Sequence, residues 1–302
     1  MNQVITRPPA ADLARLSVAI VFIALSGPLI VATAAAPLAI AFWRCFIAGG
    51  VTGVFVLVRE RAAVTSLNRR EIRLTVIAGV FLGLHFAAWI PSLTLTSIAS
   101  STAFVATQPI WAAVIARALG IRVPRTVWMG IVVAFAGILL LGGIDFSIEP
   151  RALIGDALAL ISAVLAAAYV TVAERVRQTV PTATTTSMLY FASAITIIPI
   201  ALIAGQPFVG FSAQAWLMIL AITVGAQLLG HTLMNKVLAT TPATVVSLAI
   251  LLEMPGATII AAIFLGQIPS LAVYPAMALI FAGLVIVIRS SSPRAVTESS
   301  PI

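Results

Sequence analysis

Apolar residues run along this chain in ten long blocks, each parted from the next by a short polar or turn-forming stretch. The blocks are Leu16–Ala36, Pro37–Val58, Leu74–Leu95, Ile98–Ala116, Thr126–Ile144, Leu153–Ala173, Thr184–Ala204, Ala215–Asn235, Pro242–Leu265 and Leu271–Ile288. A nearly uncharged run of roughly 20 residues is long enough to cross a bilayer core as a helix. In lipid only helices and closed barrels satisfy every backbone polar group, and these blocks lack the strict alternation of barrel strands. The pattern predicts an all-α integral membrane protein with ten transmembrane helices, and it leaves little chain for a water-soluble domain.

The second half of the chain echoes the first at a fixed offset of 146 residues. Without a gap, Gly79 falls on Gly225, Leu82 on Leu228, His85 on His231, Thr94 on Thr240, Ser101 on Ser247 and Pro109 on Pro255. Leu119-Gly120 falls on Leu265-Gly266, and Phe135-Ala136-Gly137 on Phe281-Ala282-Gly283. The protein's two histidines therefore coincide. Each copy holds five spans, and an odd number turns the second copy upside down in the membrane. Two inverted five-helix repeats around a midplane site are the architecture of alternating-access transporters. The predicted organisation is a disordered tail over 1–12, a first repeat over 13–144, an acidic linker over 145–152, a second repeat over 153–289 and a disordered tail over 290–302.

Charge then supplies the orientation. Of 17 Lys and Arg residues, nearly all lie before the first span, after the last, or in alternate loops: Arg59, Arg61, Arg69, Arg70 and Arg73, then Arg117, Arg122 and Arg125, then Arg175 and Arg177, then Lys236. The intervening loops hold only Arg151, among Asp145, Glu149 and Asp156. The positive-inside rule places both termini and the even-numbered loops in the cytoplasm, and the linker outside. The net charge of +8 is spread over short membrane-edge loops, not a folded basic face, so it does not describe a nucleic-acid binder. At 61% hydrophobic, 9% charged and mean hydropathy +1.16, the chain is far from a soluble domain. Arg7, Arg15 and Ala32-Thr33-Ala34 have features of a signal peptide, but the apolar run is long and a second span follows at once, so the segment is read as a retained span. The single Cys45 excludes a disulfide framework.

Polar groups inside spans are costly and mark pathways. Gln227, His231 and Asn235 recur at i, i+4 and i+8, one face of the eighth span, and the offset maps them onto Phe81, His85 and Trp89. These faces are read as opposite walls of one cavity, against the plainer alternative that each histidine only bonds a neighbouring helix. Glu253 lies near the middle of span nine, two residues before Pro255, with Gln108-Pro109 as the counterpart in span four. Glu253 has three open roles: proton carrier, ligand for a substrate amine, or structural hydrogen-bond partner. Arg44 is the other formal charge within a span, and a Glu253–Arg44 pair is an expectation. Pro28, Pro109 and Pro255 are expected to bend their helices, with Ser101, Ser247 and Tyr169 adding polar surface near the cavity. Gly49/Gly53 and Gly79/Gly83 have the spacing of close helix packing. Trp128, Trp216 and Tyr274 read as interface anchors.

The run Leu252-Glu253-Met254-Pro255-Gly256, then Ile263-Phe264-Leu265-Gly266-Gln267 and Phe281-Ala282-Gly283, resembles the drug/metabolite transporter superfamily, in its ten-span branch with EamA-type domains. Gln108-Pro109-Ile110-Trp111, Leu119-Gly120, Phe135-Ala136-Gly137 and Phe42-Trp43-Arg44 carry the resemblance in the first half. The chain departs from the family pattern at Met254, which separates Glu from Pro, and at Ile121 and Gln267, where the family commonly has an acid. Within the superfamily, the His-bearing third span resembles YddG-type amino-acid exporters. That resemblance implies a bacterial inner-membrane exporter of amino acids, aromatic and other neutral ones among them, with no cofactor and no obligatory protein partner besides the lipid bilayer. A zwitterion suits such a cavity: its carboxylate would meet Asn235 or His231, its amine Glu253 or Gln108, and its side chain Trp89, Phe86 or Met234. Another cargo on the same fold, a channel and a membrane-embedded enzyme are the alternatives. The absence of a nucleophile–base set or a metal-ligand cluster in the sequence argues against the enzyme.

Overall fold

The computed structural model describes residues 8–96, 98–142, 149–253, 271 and 273–290. All regular elements among them are helices: α1 (Ala10–Ala24), α2 (Ser26–Ala32), α3 (Pro37–Arg59), α4 (Arg61–Thr65), α5 (Arg69–Leu95), α6 (Ile98–Val105), α7 (Gln108–Ala118), α8 (Arg125–Gly142), α9 (Pro150–Arg177), α10 (Thr182–Ile203), α11 (Ala213–Ile222), a π-helical segment (Thr223–His231), α12 (Thr232–Val237), α13 (Ala243–Ile250) and α14 (Val273–Ser290). Six helical stretches are long and apolar enough to cross a membrane: Ala10–Ala32, Pro37–Arg59, Arg69–Leu95, Pro150–Arg177, Thr182–Ile203 and Ala213–Val237. Arg125–Leu140 and Tyr274–Arg289 are shorter apolar helices. The expected fourth span is broken into α6 and α7, and of the ninth only the part up to Glu253 is described. Pro255, the Leu265-Gly266-Gln267 motif and the 290–302 tail beyond residue 290 lie outside the described residues.

Local chemistry explains the helix boundaries. Asn68 and Glu71 form a capping box on α5: the Glu71 N–H donates to Asn68 Oδ1 (2.9 Å) and the Asn68 N–H to Glu71 Oε2 (3.0 Å). A proline has no N–H for the carbonyl four residues back. Accordingly α1 stops at Ala24, four before Pro28, and α6 stops at Val105, four before Pro109. Pro91 and Pro199, in contrast, sit inside α5 and α10 without ending them. The first helix starts at Ala10, so Asp12 is a helical residue within the stretch expected to be a tail.

Most packing joins the first half of the chain to the second. α5 lies on α9 and α10, α3 on α10, α8 on α14, α1 on the π segment and α12, and α7 on α9 and α13. Small residues permit these approaches. A Cβ on Gly79 would sit 2.6 Å from the Leu189 carbonyl oxygen, and one on Gly283 would sit 2.5 Å from the Gly130 oxygen. Gly79 and Gly83 of the GxxxG spacing, with Gly137 and Gly283 of the repeated Phe-Ala-Gly run, are thus points where helices touch backbone to backbone, whereas Gly49 and Gly53 make room for the Phe191 side chain. Val54 (63% exposed), Leu57, Val58, Val132 and Ile195 point outward as a hydrocarbon-facing surface.

At the end carrying the basic loops, polar bonds tie helices together both between the halves and within the second. Asp12 accepts from the hydroxyls of Thr240 and Thr241 (3.1 Å for the latter) and pairs with Arg15 at 2.7 Å. Glu174 accepts from the Ala243 N–H at 3.0 Å, and Arg177 donates to the Asn235 carbonyl at 2.9 Å and to that of Val180. At the opposite end, Trp43 donates to the Phe208 carbonyl at 2.6 Å. Trp216, expected as an interface anchor, instead stacks edge-on against Trp43 (5.1 Å) because the 206–212 loop folds over the start of α3.

Candidate functional site

The broken helices converge on one central cavity. Its walls are Ile23 of α1, His85 and Trp89 of α5, Val105 and Gln108 at the α6–α7 break, Ala166, Tyr169 and Val170 of α9, His231 and Met234 around the π–α12 junction, and Ile250 and Glu253 at the end of α13. Three expected spans of the first half (one, three and four) and the equivalent three of the second (six, eight and nine) therefore supply the lining. His85 and His231 are 146 residues apart, and so are Ile23 and Tyr169. The volume is about 40 Å³. That is room for a few waters, at ~10–15 Å³ each in this measure, and too little for an organic cargo. An adjoining space of about 20 Å³ shares Val105, Gln108, Ile250 and Glu253, and adds Ser247 and Pro109. The conformation is contracted around the site.

One row of rings crosses the centre. Trp89 lies nearly parallel to His85 (6.0 Å, 13°), His85 contacts Phe86 (5.0 Å), and Phe86 meets His231 edge-on (5.3 Å, 83°). His85 Nδ1 sits 3.0 Å from the carbonyl oxygen and 3.0 Å from the hydroxyl of Ser162. With Nδ1–H donating to the carbonyl, Nε2 is left as an acceptor. His231 Nδ1 and the Trp89 indole N–H are both buried without a hydrogen-bond partner among the described residues. An unsatisfied polar group in a buried site costs about 1–3 kcal/mol, so two such groups on one cavity wall mark where a polar ligand would sit.

Behind this wall lies a fully buried guanidinium. Arg44 of α3 donates from Nε to Gln227 Oε1 (2.8 Å) and from Nη1 to Ser26 Oγ (3.2 Å), and its Cζ lies 4.2 Å from the centre of the Phe86 ring. Its Nη2 has no partner. The expected Glu253–Arg44 ion pair is not formed, and no carboxylate among the described residues is within ion-pair distance of Arg44. Gln227 is spent on Arg44 and faces away from the cavity. Gln227 lies on the π segment with His231, and its side chain is taken by Arg44 while His231 reaches the cavity lining. Asn235 also stands behind the lining, where its amide donates to the Tyr169 hydroxyl and to the His231 carbonyl (2.9 Å).

Of the residues expected at the site, His85, Trp89, Gln108, Tyr169, His231 and Glu253 share the central cavity. Ser247 lines the adjoining space and accepts from Gln108 Nε2 at 3.1 Å. Phe86, Arg44, Gln227 and Asn235 form the layer behind, and Ser101 bonds Ser92 at 2.7 Å away from both spaces. Ser162, which orients His85, had no signal in the sequence beyond being a hydroxyl within an apolar run. Ile23 was legible only as the offset partner of Tyr169. Among the described residues no three His, Cys, Asp or Glu side chains gather as a metal site.

The EamA-like transporter family matches this chain twice, over residues 13–143 and 153–289. No curated protein matches it. One solved structure, described as "Crystal structure of protein", superimposes with TM-score 0.75 over 93% of this chain and 98% of that one at 19% identity, which is a likeness of fold.

Proposed function

The chain belongs to the EamA-like transporter family, a multi-pass membrane transporter of small molecules, and from that premise we propose that it exports amino acids, aromatic and other neutral ones, from the bacterial cytoplasm by alternating access. The observation that carries the proposal is the lining of the central cavity by equivalent spans of the two halves, with His85 and His231 at its core. The helix contacts support an inverted pair of repeats, because each has its mate when the halves are exchanged: α5 on α9 corresponds to the π segment on α1, and α7 on α9 to α13 on α1. Both termini then lie in the cytoplasm, and the helix breaks at Pro28 and Pro109, with Pro255 as the expected third hinge, let one repeat rock against the other.

In this reading the cargo carboxylate takes the indole N–H of Trp89 and, when protonated there, His231 Nδ1. The amine meets Glu253 and the Gln108 carbonyl oxygen, and an aromatic or aliphatic side chain lies along Trp89, Met234 and Tyr169. The cavity of about 40 Å³ is the occluded form, which has to widen before it holds cargo. Proteoliposome transport of a panel of radiolabelled amino acids, with and without an imposed proton gradient, tests the proposal beside Glu253→Gln. Saturable transport of several neutral amino acids without a gradient supports a facilitative exporter. Transport only with the gradient, lost in the variant, makes Glu253 the coupling group. No amino-acid movement from a well-folded protein overturns the cargo assignment.

A further inference from the structure

A cavity larger than the central one lies away from it. A pocket of about 480 Å³ opens at the end of the molecule that bears the basic loops. Asn68, Arg70, Glu71 and Leu74 at the start of α5 form one wall, the Leu119-Gly120-Ile121 turn after α7 a second, and Thr171, Glu174, Arg175 and Gln178 near the end of α9 a third. Gly120 makes the turn with φ +80°, a conformation natural to glycine. The pocket and the central cavity share no lining residue, although both have a wall on α9.

Its chemistry has two signs. Arg70 and Arg175 are exposed and make no hydrogen bond or ion pair with the described residues. Glu71 and Glu174 are held in place: Glu71 accepts from the Asn68 N–H (3.0 Å) and the Thr179 hydroxyl (2.7 Å), and Glu174 from the Ala243 N–H (3.0 Å). A carboxylate accepts about four hydrogen bonds, so Glu71 keeps acceptor capacity toward the pocket. Two guanidinium groups free to bind an oxyanion and fixed carboxylates able to receive an ammonium define a receptor for a zwitterion. Leu74, Leu119, Ile121 and Val176 add an apolar rim, with Leu119 46% exposed.

We propose that this pocket binds the headgroup of a zwitterionic phospholipid carrying a primary ammonium, with the phosphate at Arg70 and Arg175 and the ammonium at Glu71. The apolar rim favours a lipid over a free zwitterion, since it receives the glycerol and upper acyl chains. The site lies in the cytoplasmic leaflet on the orientation proposed above.

The test uses the full-length protein in phosphatidylcholine nanodiscs, titrated with short-chain dioctanoyl phosphatidylethanolamine, phosphatidylglycerol and phosphatidylcholine, and separately with free alanine. Phosphatidylethanolamine is expected to bind saturably and about tenfold tighter than the other two lipids, which lack either an ammonium or its N–H donors. Arg70→Gln with Arg175→Gln weakens that binding by about 30-fold, while Arg59→Gln with Arg61→Gln, which removes the same charge from the same side outside the pocket, leaves it unchanged. Alanine binding that depends on the Arg70/Arg175 pair, without lipid preference, keeps the zwitterion chemistry and makes the occupant a free solute. Equal binding of the three lipids, or equal loss in both double variants, overturns the proposal. All four arginines are exposed, so the variants are expected to fold. The transport panel needs no change of lipid, so a failure there and a failure here are separate results.

Discussion

Gln227→Leu removes the shortest hydrogen bond of a guanidinium that has no carboxylate within ion-pair distance among the described residues. Arg44 is fully buried, and its Nε–H lies 2.8 Å from Gln227 Oε1. A hydrogen bond to a charged group contributes about 1.5–3 kcal/mol. The loss falls at the upper half of that range here, because Nη2 already lacks a partner and only Ser26 Oγ, at 3.2 Å, and the Phe86 face remain. A destabilisation of about 2.5 kcal/mol lowers the midpoint of thermal unfolding by on the order of 5 °C in a chain of this size. Gln227→Glu is the informative companion. It places a carboxylate on the same atoms, pairs the buried cation, and is expected to melt at or above the wild-type midpoint. Tryptophan fluorescence of the three proteins in nanodiscs, heated at one scan rate, reads both shifts. If Gln227→Leu melts with the wild type, or Gln227→Glu falls as far as Gln227→Leu, the Arg44–Gln227 bond is not what stabilises the buried charge.

Trp89→Phe deletes the unpartnered indole N–H while keeping an aromatic ring; it is expected to raise the KM for cargo about tenfold, with kcat and thermal stability kept, in the proteoliposome assay. An unchanged KM would take Trp89 out of cargo binding. Gly79→Val drives a side chain into the Leu189 backbone and Ala192, at a cost of at least ~1–3 kcal/mol. Gly50→Ala meets nothing within 4 Å in the interior of α3 and is expected to gain up to ~1 kcal/mol in the same melting experiment.

The spans were legible because a bilayer imposes a length and a polarity on any helix that crosses it, and each apolar block contains a described helix. The repeat offset carried further: it singled out His85 and His231, which do meet across Phe86. What the offset could not convey is helical register. Span three is α-helical throughout, whereas its equivalent in span eight winds as a π-helix over Thr223–His231, although no residue is inserted between the two copies. On that segment Gln227 bonds Arg44 behind the lining, while His231 reaches the cavity. The Arg44 partner was misjudged for a related reason: opposite charges in a sequence suggest a pair, but Gln227 and Ser26 lie closer in space than Glu253 does. The membrane-edge pocket left no trace in the sequence, since its three walls come from segments about 50 residues apart whose arginines look like ordinary topological signals.

Asp12 leaves the ribosome 228 and 229 residues ahead of Thr240 and Thr241, whose hydroxyls it holds. Its helix packs mainly on the π segment and α12, so it enters the membrane long before its neighbours exist. During biogenesis the early helices wait in lipid, unsorted, until the last third of the chain arrives to interleave with them. The two copies of the repeat match one family in sequence, but neither is a unit of assembly, and a gene cut at the linker would yield two halves that have to find each other before either acquires its native neighbours.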